Sequence, residues 1–139
     1  ILSMSLQPTS VLDASALLAY LQGEPGAELV ATALITCSAI SSVNWAETLT
    51  KLADKGQDPD VVATKLTNQG LLHKALLIYP TDELLARSIA KLRVPTQRHG
   101  LSLGDRACLA LALSLNLPAL TCDRVWASLN IGVSVTLIR

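Results

Sequence analysis

Four carboxylates stand out by position in this chain of 139 residues: Asp13, Glu47, Asp105 and Asp123. Each sits at the rim of an apolar run. Val11-Leu12 precede Asp13, Leu120-Thr-Cys122 precede Asp123, and the segment that follows Asp105 and Arg106 is nearly all Leu and Ala. Two carboxylates about 4 Å apart repel by roughly 4 kcal/mol at an effective dielectric of 20. Three or four of them brought together stay ionised only around a cation; otherwise some take up protons. An oxygen donor set without His or Cys selects a hard ion, Mg²⁺ or Mn²⁺. Such an ion can orient and deprotonate a water for attack on phosphorus and neutralise charge on the leaving oxygen. The chemistry implied is phosphodiester hydrolysis. Each acid also has a plain structural use. Asp13 and Asp123 suit helix N-caps, worth about 1 kcal/mol each. Asn44-x-x-Glu47 and Ser102-x-x-Asp105 resemble capping boxes, and Glu47 and Lys51 are spaced for an i,i+4 ion pair worth roughly 0.2–0.5 kcal/mol.

The elements that must position these acids alternate along the chain. Strands are expected at 10–13, 37–41, 76–79, 118–121 and 133–138, as short uninterrupted apolar runs. Helices are expected at 15–21, 27–34, 43–55, from Pro59 to about 69, 82–92 with Thr81 as cap, 103–115 and 124–129, with a loop over 94–102. Continuous rather than alternating apolar strands indicate an α/β fold with a mostly parallel central sheet and helices on both faces. In such sheets ligands bind outside the carboxyl ends of the strands. Asp13 and Asp123 follow strand ends, Glu47 is expected in the first turn of the next helix, and Asp105 opens a buried helix.

Composition narrows the classes further. Apolar residues make up 50% and charged residues 16%, which excludes a disordered or nucleic-acid-coating tail. Eleven Lys plus Arg balance eleven Asp plus Glu, so any work on a polyanion comes from a local site. Mean hydropathy is +0.44, yet the uncharged stretches around 29–46 and 107–122 carry Ser, Thr, Asn or Pro and read as buried elements. Cys37, Cys108 and Cys122 lie in apolar runs without C-x-x-C spacing, as expected of free, reduced thiols. Met4 is the one methionine, and a single domain is expected over 4–139 with Ile1-Leu2-Ser3 set aside.

With these residues in view, the sequence resembles the PIN-domain ribonucleases, in particular VapC-type toxins of prokaryotic type II toxin–antitoxin pairs. Val11-Leu-Asp-Ala-Ser-Ala-Leu17, Asn44-Trp-Ala-Glu47, Leu101-Ser-Leu-Gly-Asp-Arg-Ala-Cys108 and Leu120-Thr-Cys-Asp-Arg-Val-Trp126 match the four motifs in order, spanning almost the whole chain. The resemblance implies a PIN-like three-layer fold and an endoribonuclease that uses Mg²⁺ or Mn²⁺. Asp13, Glu47, Asp105 and Asp123 would be its metal-binding and catalytic carboxylates, with Asp13 and Asp105 the foremost direct ligands. Ser15 and Thr121 fall at hydroxyl positions that orient carboxylates or water, or they simply finish a helix and a strand. Arg106, Arg124 and Lys51 are candidates to grip substrate phosphate. The family further implies RNA as substrate (tRNA or rRNA), a homodimer, a cognate antitoxin and a cytoplasmic, non-membrane location.

Two other classes bind Mg²⁺ or share the fold. A receiver-like switch domain would show adjacent acids after its first strand, where this chain has Asp13-Ala14. A non-catalytic PIN-like binding module would have no reason to retain the repulsion among four acids.

Overall fold

A computed structural model describes residues 7–139, so the expected domain start at Met4 lies outside the described residues. In chain order the elements are β1 (Val11–Leu12), α1 (Ala14–Gln22), α2 (Ala27–Ile35), β2 (Ser38–Ser41), α3 (Ser42–Asp54), α4 (Pro59–Asn68), β3 (Leu76–Tyr79), α5 (Glu83–Lys91), α6 (Leu103–Leu115), β4 (Ala119–Thr121) and β5 (Val135–Leu137). Short 3₁₀ turns occupy Gln97–His99, within the expected loop, and Arg124–Ser128.

The sheet order is β3-β2-β1-β4-β5, and every strand pairing is parallel. Successive strand residues face opposite layers. Leu12, Ile40 and Leu120 join α1, α2, α3 and α4 in one core cluster, while Val11, Ala39 and Ala119 join α5, α6 and Trp126 in the other. This is the expected three-layer arrangement, and the strands are apolar throughout because both faces are covered. α6 is buried from Ala107 to Ala112, which explains its Leu/Ala composition all round. Both tryptophans pack: Trp126 is fully buried and Trp45 lies against the first cluster. No helix among the described residues is long and apolar enough to cross a membrane.

The strand order reverses direction between β1 and β4. Chain from β1 runs outward through β2 and β3, then returns to place β4 and β5 on the other side. Such a switch point leaves a crevice at the carboxyl ends of the two central strands, and Asp13 and Asp123 follow those two ends.

Three local expectations differ from the structure. α3 begins directly after β2 with Ser41 as its cap, whose hydroxyl accepts from the Asn44 amide at 3.0 Å; Asn44 is therefore inside the helix, and Glu47 is in the second turn rather than the first. α5 is capped by Asp82, which accepts from the Leu85 amide at 2.9 Å, while the hydroxyl of Thr81, the expected cap, is engaged by Ser42 Oγ at 3.1 Å. Glu47 and Lys51 form no ion pair; among the described residues the side-chain pairs are Arg87–Glu83 and Arg139–Glu24.

Candidate active site

Asp13 is the buried member of the group, 6% exposed, at the point where β1 turns into α1. Its Oδ1 accepts from the Ala16 amide at 2.8 Å and from Ser15 Oγ at 2.7 Å. Its Oδ2 accepts from Thr121 Oγ1 at 2.5 Å, a bond that crosses the crevice from β4. Thr121 Oγ1 in turn accepts from the Asp123 amide at 3.0 Å, and Ser15 Oγ accepts from the Cys122 amide at 3.0 Å. The two hydroxyls thus stitch β1 to β4 in both directions. Asp13 is an N-cap and a crevice residue at once, so the two uses do not compete.

Asp105 forms a full capping box with Ser102. The Ser102 amide donates to Asp105 Oδ2 at 2.9 Å, and the Asp105 amide donates to Ser102 Oγ at 3.1 Å. Asp123 Oδ1 accepts from the Val125 amide at 3.0 Å. Glu47 Oε1 accepts from Asn44 Nδ2 at 2.8 Å. Each of these three carboxylates has one oxygen held by the protein, and no hydrogen bond among the described residues engages the other.

All four carboxylates line one cleft of about 340 Å³, together with Ala14, Ser15, Leu18, Asn44, Lys51 and Cys122. Their charges bear on two pKa values, those of Asp13 and of Cys108. Burial pushes the Asp13 carboxyl up to about 6, against the pull of hydrogen bonds from Thr121, Ser15 and the Ala16 amide, and the Asp105 charge adds to the rise. Cys108, buried in α6, has its thiol pushed well up by burial first and then by the charges of Asp13, Asp105 and Glu47. Three acids distant in sequence therefore act on one buried point.

No three Asp, Glu, His or Cys side chains among the described residues stand close enough to cage an ion by themselves. What the cleft offers is an open rim on which one oxygen each of Asp105, Asp123 and Glu47 accepts no hydrogen bond from the described residues. That donor set fits a hard divalent ion, since Mg²⁺ keeps several waters and needs only one or two protein carboxylates. Cys122 also lines the rim, so the site is not free of sulfur as the sequence reading had it.

Other sequence-derived candidates fall elsewhere. Arg106 does not line the cleft: its Nη1 donates to the Ile89 carbonyl of α5 at 3.0 Å and its Nε is buried without a partner, so the side chain ties α6 to α5. Phosphate contact by Arg106 is withdrawn on that ground. Arg124 is exposed outside the cleft lining, whereas Lys51 is part of it. Two residues the sequence reading passed over are Asn44, taken there for a cap, and Gly104. A Cβ at Gly104 would land 2.5 Å from Glu47 Cδ and nearer still to both carboxylate oxygens. The signal for Asn44 was its i,i+3 spacing from Glu47, which puts both on one helix face; nothing in sequence flags the approach to Gly104.

Several solved structures share the fold. A chain of a DNA-bound VapBC complex from Salmonella typhimurium superposes with a TM-score of 0.70 at 16% identity, covering 96% of this chain and 100% of its own. A toxin–antitoxin complex from Klebsiella pneumoniae gives 0.67 at 22%, covering 94% and 98%. The sarcin–ricin loop cleaving toxin VapC20 of Mycobacterium tuberculosis gives 0.66 at 14%, covering 90% and 98%. Comparison with curated proteins returns no significant match. The PIN domain family model matches residues 10–131, a span that holds all four carboxylates, both stitching hydroxyls and the whole switch point, and on that match the chain belongs to the PIN-domain family.

Proposed function

We propose that this protein is a Mg²⁺- or Mn²⁺-dependent endoribonuclease and the toxin of a toxin–antitoxin pair. The observation that carries the reading is convergence: Asp13, Glu47, Asp105 and Asp123, from four separate segments, line one cleft at the switch point of a parallel sheet. A bound divalent ion would supply Lewis acidity and an activated water. Asp105, Asp123 and Glu47, each with an oxygen that no group among the described residues engages, would hold the ion's hydration shell, while Asp13 anchors the buried side. Thr121 and Ser15 keep the Asp13 carboxylate oriented through a donor on each oxygen. Lys51, on the rim, is placed to steady a substrate phosphate, and exposed Arg124 is a second candidate for the same role.

RNA is the proposed substrate, with tRNA or rRNA as the classes. One structural neighbour is described as cleaving the sarcin–ricin loop, and others are toxin–antitoxin complexes, which supports a cognate antitoxin partner here; a homodimer and a cytoplasmic site of action belong to the same proposal. The test is cleavage of structured RNA by purified protein. Cutting at a few positions with Mg²⁺, none with EDTA and none by Asp13→Asn or Asp105→Asn is the expected pattern. Undiminished cutting by both variants overturns the proposal.

A further inference from the structure

The Asn44 side chain is 1% exposed and fully used. Its Oδ1 accepts from Ser41 Oγ at 2.6 Å, and its Nδ2 donates to Glu47 Oε1 at 2.8 Å and to the Gly104 carbonyl at 2.9 Å. An Asn amide carries two N–H donors, and both point at groups that can only accept, so its orientation is determined. The amide joins the end of β2, the second turn of α3 and the first turn of α6, one residue before Asp105. Glu47 lies over the bare Cα of Gly104, in the space a side chain would take.

From this geometry we propose that Asn44 and Gly104 form a cradle that positions the Glu47 carboxylate in the cleft, Asn44 by donating to it and Gly104 by leaving room for it. Glu47 is on the exposed side of its helix, and a Glu side chain has three rotatable bonds before its carboxylate. Without a donor and a fitted recess it would sample solvent rather than the cleft. The cradle also sets α3 against α6, so Glu47 and Asp105 keep their relation to each other. Asn44 touches neither substrate nor ion in this scheme; it acts through Glu47. The inference rests on the nuclease reading in that Glu47 is taken to help hold the divalent ion.

The experiment is Mn²⁺ binding, followed by electron paramagnetic resonance or calorimetry, in Asn44→Ala, Gly104→Ala, Glu47→Ala and the two double variants with Glu47→Ala. Residues that orient metal ligands typically account for ~10–100-fold in affinity, and a loss in that range is expected for Asn44→Ala and Gly104→Ala. The nearest atoms a Gly104→Ala side chain meets belong to the movable end of Glu47, and Ala suits a helix, so this variant keeps the test open if Asn44→Ala folds poorly. In the Glu47→Ala background neither substitution should weaken Mn²⁺ binding further, because the group they position is gone. Losses that instead add to that of Glu47→Ala mark a merely structural effect and overturn the inference. Unchanged binding in both single variants, with Glu47→Ala weakened, also overturns it while leaving the nuclease reading intact. Unchanged binding in Glu47→Ala removes Glu47 from the ion site, and the inference falls with that part of the nuclease reading.

Discussion

A carboxyl group buried at the end of β1 is expensive to ionise, and Asp13 shows by how much. Its pKa rises from 3.8 to about 6, burial being the main cause. At 1.36 kcal/mol per unit, the ionised form costs folding about 3 kcal/mol relative to the unfolded chain. The native state binds the proton more tightly than the unfolded one, so stability without metal falls as pH rises from about 4 to about 6, then levels off. Asp13→Asn removes that dependence. Its melting temperature in EDTA should exceed the parent's at pH 7.5, with the gap closing toward pH 4, while RNA cleavage is lost; thermal melts across that range check it. Stability gained where activity disappears is the mark of a strained functional site. Asp13, Asp105 and Asp123 were legible in the sequence because each borders an apolar run, and Glu47 through the motif Asn44-Trp-Ala-Glu47. Arg106 was misread because adjacency to a site acid on a helix says nothing of which face the side chain takes, and here it takes the α5 face.

At the scale of elements, the capping devices and the site share atoms. Ser102→Ala removes the hydroxyl that accepts from the Asp105 amide, and a lost cap costs about 1 kcal/mol. The Ser102 backbone N–H that holds Asp105 Oδ2 is kept, so denaturant unfolding should show the stability loss while RNA cleavage by the folded protein stays close to the parent's. A contrasting case lies outside the cleft lining. Gly26 opens α2 at φ 96°, and a Cβ there would meet the Ile138 carbonyl oxygen at 2.5 Å and its Cγ1 at 2.9 Å. Both the left-handed backbone and the contact oppose a side chain, so Gly26→Ala should destabilise by more than ~1 kcal/mol and leave Mn²⁺ affinity in the folded protein unchanged. Urea unfolding and a binding titration separate the two effects. Strand and helix order were readable from apolar runs, Pro59 and the acid-first, base-last pattern of α5. The caps of α3 and α5 were not, because Ser41, Asn44, Thr81 and Asp82 all suit the role locally. The Thr81 hydroxyl is engaged by Ser42 across the fold, a choice made by tertiary contact.

For the molecule as a whole, the cleft joins folding to metal. Four acids lining about 340 Å³ at neutral pH repel one another, and a cation that binds only the folded state stabilises it by ~2.7 kcal/mol at a hundred times its Kd. Millimolar Mg²⁺ or Mn²⁺ should therefore raise the melting temperature relative to EDTA, and Asp105→Asn should shrink that rise. Calorimetry or a dye-based melt reads both, and equal melting temperatures with and without the ions would remove the metal from the reading.

Residue types and their order along the chain were enough for the layered α/β fold, the parallel sheet and three acids, Asp13, Asp105 and Asp123, at element ends. Those features follow from hydrophobic patterning and local propensity, which act over a few residues. The strand order that puts β1 beside β4, the hydroxyls of Thr121 and Ser15 crossing between them, and the Asn44–Gly104 recess under Glu47 came from tertiary structure alone. Each joins groups from about 60 to more than 100 residues apart, and contacts at that separation depend on how the layers pack rather than on any pattern a single segment carries.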